Sequence, residues 1–341
     1  MDGRRRLAIT TTVFSTWVVL GLFLDGWAHN AGKPEDFWTP WHAVLYSGFV
    51  AGAGWFVVGR QRDRRAGTAL PVDPLTTAGF VLFAIGGLGD AVWHSILGVE
   101  EDVAALLSPT HLLLMLGGLL LIGGPLRRPL PRAAADPRWR TALPEVVAVA
   151  LAVAVVGFFL QFLSPFHGAG VDRYGAGSTE AGQLLGVASI LVTNVLLVAG
   201  TALLLRDRDR LPTGAATAVL GGTALLWSSL EGFEGAELVA AAVAAGLVVD
   251  LLAHRGAEER TLLVVMPGVL WPAWFAIYHV GTGLAWPAEY APGVTVLAVL
   301  TGWGLHLLSR DAVQAPGLED AAPAAPASAP PAAAAVGYSG T

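Results

Sequence analysis

The sequence predicts an all-α, polytopic transmembrane bundle of about ten helices with both termini cytoplasmic, and three observations carry that prediction. The chain is 54% hydrophobic and only 13% charged, where soluble domains carry about 25% charged residues. Its apolar residues gather in runs close to the roughly 20 needed to span a bilayer. Its basic residues lie in alternate connections between those runs: with the N-terminus inside, every Lys and Arg except Lys33 and Arg173 falls on the cytoplasmic side. That asymmetry orients membrane proteins, so a multi-pass protein of a cell membrane, such as a bacterial inner membrane, is expected.

In order, the runs cover 7–26, 40–58, 75–97, 108–123, 142–163, 181–205, 214–230, 236–252, 261–280 and 292–308. The first follows Arg4–Arg6 as a signal peptide would. It is long and ends without a small-residue cleavage site, which reads as a retained helix. The second and fourth open on Thr39-Pro40 and Ser108-Pro109, a good N-cap followed by proline at the first helical position. The fourth, seventh and eighth are short for a bilayer. The Ala, Leu, Val and Gly of the later helices offer close packing surfaces. From Ala315 the chain turns to APAAPASAPPAAAA, which cannot bury a core and reads as a disordered cytoplasmic tail. Three regions follow: 1–124, a duplicated hairpin unit; 142–310, the remaining helices of the same bundle; and 315–341, the tail.

The composition also excludes chemistry. There is no cysteine, so disulfides and thiolate metal sites are ruled out. No nucleotide-binding loop, H-E-x-x-H, His-x3-His pair or supported Ser-His-Asp order occurs. The one-sided basic loops orient the chain and call for no nucleic acid.

Residues 25–42 read DGWAHNAGKPEDFWTPWH and residues 90–111 read DAVWHSILGVEEDVAALLSPTH. Each is Asp, three residues, His, a spacer, then Ser or Thr, Pro, one residue, His. Asp25 and His29 end the first helix, on one face if it stays helical there. Asp90 and His94 end the third. His42 and His111 fall at the third position of the helices that follow. Each hairpin can thus gather one carboxylate and two imidazoles near the outer face. Such donors suit Cu, Zn, Fe or Ni, and two His with one carboxylate is also the triad of non-haem iron sites. A helix N-terminus disfavours imidazolium and so favours the neutral, ligating form of His42 and His111. Ionisable groups at membrane depth are costly. The plain alternative is that Asp and His at helix ends only hydrogen-bond each other.

The two stretches resemble the C subunit of the copper membrane monooxygenases, the particulate methane and ammonia monooxygenase family, over about residues 20–120. That subunit carries successive motifs of carboxylate or amide, three residues, His, spacer and His at helix ends. Asp25, His29 and His42, with FWTPWHAVLY around the last, fit the pattern well. Asp90, His94 and His111 depart from it in carrying Asp where Asn is frequent and in their longer spacer. The resemblance implies two metal sites, copper before zinc or non-haem iron, and a copper-dependent membrane oxidoreductase with a cupredoxin-like or other membrane subunit outside. Non-catalytic copper uptake, storage or delivery is the alternative, and a purely structural motif the third reading. Scarce polar residues midway along the helices speak against a transport path.

Further residues are weaker leads. His167, in SPFH, and His279 lie near the same face. Met115 and Tyr46 sit one turn after His111 and His42, as a soft ligand and an orienting group, though packing accounts for either. Glu231, Glu234 and Glu237 read as a solvated outer loop. Trp27, Trp38, Trp41, Trp93, Trp271, Trp274 and Trp286 read first as an interfacial belt. Asp250, His254 and His306 fall on the cytoplasmic side.

Overall fold

The computed structural model describes residues 3–33, 38–68, 73–98, 102–130, 138–166, 179–206, 211–283 and 286–314. Arg173, His167 and the Ala/Pro-rich tail lie outside them. Among the described residues the chain is helical with no strand. The helices are α1 Gly3–Asn30, α2 Pro40–Arg65, α3 Pro74–Leu97, the short α4 Asp102–Leu107, α5 Pro109–Ile122, the short α6 Gly124–Arg127, α7 Trp139–Phe159, α8 Glu180–Leu205, α9 Ala215–Ser229, α10 Val239–His254, α11 Glu259–Thr282 and α12 Tyr290–Gln314.

Eight helical segments are long and apolar enough to cross a membrane, one of them joining α10 to the turn before it. α5 and α9 are apolar but only 14 and 15 residues long. Together they match the ten predicted runs. Both short helices have local stops. α5 ends where Gly123, Gly124 and Pro125 follow Ile122: two poor helix formers precede a residue with no N–H for the next helical hydrogen bond. α9 starts after Gly214 at φ 95°, and its exit passes through Gly232 and Gly235, at φ 64° and 74°, a conformation natural only to glycine.

The expected caps are present. Thr39 Oγ1 accepts from His42 N at 3.4 Å, and Ser108 Oγ accepts from His111 N at 3.3 Å. The Ser/Thr-Pro-x-His spacing therefore fixes each histidine in the first turn of its helix. α1 with α2, and α3 with α5, form two hairpins packed through small residues. A Cβ at Gly21 would overlap the Leu45 backbone, and one at Gly117 would lie 2.6 Å from Phe83 N, so only glycine lets these helices approach so closely.

An ion pair ties the Arg-rich end of each hairpin. Arg6 Nη2 donates to both carboxylate oxygens of Asp63. Arg127 Nε donates to Asp73 Oδ2 at 2.7 Å. Burial raises the Asp73 carboxyl, but hydrogen bonds from Arg127 and Thr76 and the guanidinium charge outweigh it and hold it below the ordinary aspartate value.

α7 stands at the centre, touching α1, α5, α8 and α9. The core lies on its far side from the N-terminal hairpins and is organised by tryptophans. Trp227 Nε1 donates to Ala154 O, Trp274 Nε1 to Pro165 O and Trp271 Nε1 to Asn194 Oδ1, while Asn194 Nδ2 reaches Ala298 O. The belt reading fails for Trp271, Trp274 and Trp286: all three are buried in this core. The indole N–H and apolar body of Trp271 and Trp274 suit an interface and a hydrogen-bonded interior equally well. Trp38 alone of the seven is strongly exposed, at 86%.

Candidate metal centre

Asp90, one turn before His94 on α3, is buried. Its Oδ1 lies 3.4 Å from His94 Nε2 and 3.1 Å from His111 Nε2. The i, i+4 spacing on α3 brings the first pair together, and the Ser108 cap delivers His111 from α5. Among the described residues, Asp90, His94 and His111 are the one group of three His or acidic side chains whose ligand atoms all lie within 4.8 Å of one another. Two ligand atoms roughly 2.0–2.2 Å from one ion, at tetrahedral or octahedral angles, stand about 3 Å apart. The donor set and its spacing fit a transition metal.

Neighbours hold each donor. Thr110 Oγ1 donates to Asp90 Oδ1 at 3.2 Å and Tyr46 Oη donates to Asp90 Oδ2 at 3.3 Å. His94 Nδ1 lies 3.2 Å from the carbonyl of Gly98, the C-cap of α3. A carbonyl only accepts, so this bond places a proton on Nδ1. A neutral His94 then presents its Nε2 lone pair to the Asp90 carboxylate. A proton, as in an imidazolium–carboxylate pair, or a metal ion can bridge the 3.4 Å between them. A backbone carbonyl on the far nitrogen is also how metal-ligating histidines are oriented.

The first stretch is arranged differently. His42 Nε2 lies 3.2 Å from Asp25 Oδ1, but His29 does not complete a group of three with them. The stretch that fits the family pattern less well in spacing is the one that closes. In it Thr110 occupies the position between Pro and His that Trp41 fills in the first. Thr110 is a partner the sequence reading missed; its signal was a hydroxyl one residue from a ligand at a capped helix start.

All six residues, Asp25, His29, His42, Asp90, His94 and His111, line one cavity between the hairpins, closed by α7. Met115 lines it too. Tyr46 stands between the two sets, its ring 6.1 Å from that of His42 and its hydroxyl on Asp90. Gly87 makes room for it: a Cβ there would sit 2.8 Å from Tyr46 Cε1. Glu234 and Glu237 are exposed, as a solvated loop requires, and Glu231 is half-buried.

Comparison with known proteins returns no match: no family model fits the chain, and no curated protein or solved structure is similar to it.

Proposed function

We propose that this membrane-helical protein binds a transition metal through Asp90, His94 and His111, copper before zinc or iron, and that it acts as a copper-dependent membrane oxidoreductase. The carrying observation is the His94 Nε2 to Asp90 Oδ1 approach, with the other His94 nitrogen held on a carbonyl. Copper is favoured because imidazole and carboxylate donors bind Cu(II) above the other divalent first-row metals, because Met115 lines the same cavity, and because the two stretches resemble the copper-binding subunit. Bound copper would supply one-electron redox chemistry at the end of an apolar cavity. Asp90 would balance its charge, Thr110 and Tyr46 would fix the carboxylate, and Gly98 would fix the His94 ring.

Elemental mass spectrometry on detergent-purified protein tests this. Wild type loaded with Cu, Zn and Fe in turn is compared with His94→Ala, His111→Ala and Asp90→Asn. Near-stoichiometric copper in wild type and its loss in each variant is the expected result. No retained metal in wild type leaves hydrogen bonding at helix ends as the role of the motif. Copper retained without oxygen consumption in the presence of reductant would assign the chain to copper handling.

A further inference from the structure

The cavity that ends at Asp90, His94 and His111 continues to the opposite, Arg-rich end of the hairpins. It holds about 170 Å³ and is walled by Phe14, Phe49, Phe80 and Phe83. A second cavity of about 590 Å³ adjoins it at the Arg-rich end. The two share Leu7, Thr10, Thr11, Trp55, Phe56 and Thr76 as walls. The first cavity has room for roughly a dozen water-sized groups, space for one alkyl chain and not for two. The second cavity is lined, among the described residues, by five arginines, Arg4, Arg6, Arg60, Arg127 and Arg128, and two aspartates, Asp63 and Asp73. A slender apolar shaft under a cationic mouth is complementary to one chemical class.

We propose that the hairpins bind a single-chain amphiphile with an anionic head, of which a long-chain carboxylate is the simplest case. The head sits among the arginines, which suit carboxylate geometry. The chain runs along the phenylalanine wall with its methyl end toward the Asp90–His94–His111 group. Placing that end beside a metal rests on the metal reading above; the binding itself does not. A two-chain phospholipid fits less well, because the shaft takes one chain and leaves the second without a place.

Spin-label spectroscopy on metal-free, full-length protein in nanodiscs of neutral lipid tests the site. The probe is stearate carrying a nitroxide near its carboxylate, where the label lies on the Arg-rich side and only methylenes enter the apolar cavity. Wild type is expected to give a saturable immobilised signal. Gly118→Leu, on a cavity-lining glycine whose Cβ would meet nothing closer than Phe83 at 3.8 Å, plugs the shaft and should weaken binding at least tenfold. Arg60→Gln should weaken it several-fold while leaving binding of the uncharged alcohol analogue unchanged. Should Gly118→Leu not fold, Thr10→Phe, at the junction of shaft and mouth, gives the same reading. No immobilised signal in wild type overturns the proposal. So does undiminished binding in a folded, plugged variant, or immobilisation of a spin-labelled anionic phospholipid that stearate fails to displace. On copper loading, the deuterium resonance of stearate labelled at its terminal methyl should broaden more than that of stearate labelled beside the carboxylate. Copper bound without that difference overturns the orientation, whereas no copper bound overturns the metal reading and leaves the lipid result standing.

Discussion

Tyr46 of α2 donates its hydroxyl to Asp90 of α3 at 3.3 Å, joining the two N-terminal hairpins through the carboxylate that faces both His94 and His111. The bond goes to Oδ2 and leaves Oδ1 toward the histidines. Tyr46→Phe removes the bond and keeps the ring. On the proposed reading, metal affinity falls by about 10–100-fold, the usual effect of losing such an outer partner, with stoichiometry retained. Competition against a chelator of known affinity measures this, and an unchanged affinity would show that Tyr46 only packs.

The two stretches should not contribute equally. His94 belongs to the closed group and His29 does not. His94→Ala is expected to abolish metal retention at low loading, and His29→Ala to leave most of it. Equal losses would mean that both sets form one site.

Asp73 carries a pH signature at the Arg-rich end. Its carboxyl is held below the ordinary value in the folded chain, so the folded state binds its proton less readily than the unfolded state does. The stabilisation is therefore fully present above the ordinary aspartate value near 3.9. It is lost as pH falls from there through the lowered folded value. Thermal melts of wild type and Asp73→Asn in detergent should differ at neutral pH and converge in acid. A gap that persists unchanged in acid would show that the charge on Asp73 is not the stabilising element.

Asp250 has a structural task. Buried on α10, it accepts from Ala216 N at 3.0 Å, Thr217 N at 2.9 Å and Thr217 Oγ1 at 2.6 Å, so it caps the start of α9 from the neighbouring helix. Asp250→Ala should cost on the order of 2 kcal/mol, the upper range for a helix cap, read as a lowered midpoint without loss of bound metal.

Much of this was legible in the sequence because it depends on local spacing. Ser108-Pro109-x-His111 encodes its own cap, and the cap places the histidine. Asp90 and His94 share a helix face by count alone. Tertiary facts were not legible. Nothing in the spacing of Asp25, His29 and His42 says that they do not close into a group of three as Asp90, His94 and His111 do, since that depends on how α1 and α2 cross at Gly21. Trp271 and Trp274 have the composition of an interfacial belt, and only Asn194 and the Pro165 carbonyl, distant in sequence, reveal them as buried. Asp250 is legible in the sequence only as a cytoplasmic-side residue; its capping task depends on Ala216 and Thr217 of α9.

α5 carries His111 on its first turn and holds only 14 residues, about 21 Å of helix. A bilayer core is about 30 Å thick. The hairpins around it lean lightly on the rest of the protein: 17% of the spanning window of α2 and 22% of that of α3 is buried, against 67% for α7. Hydrophobic mismatch at such a short helix is relieved by thinning the lipid or drawing the helix end inward. Reconstitution in lipids of increasing chain length is therefore expected to change the depth and hydration of His111, read by the rate of hydrogen exchange at its imidazole C2.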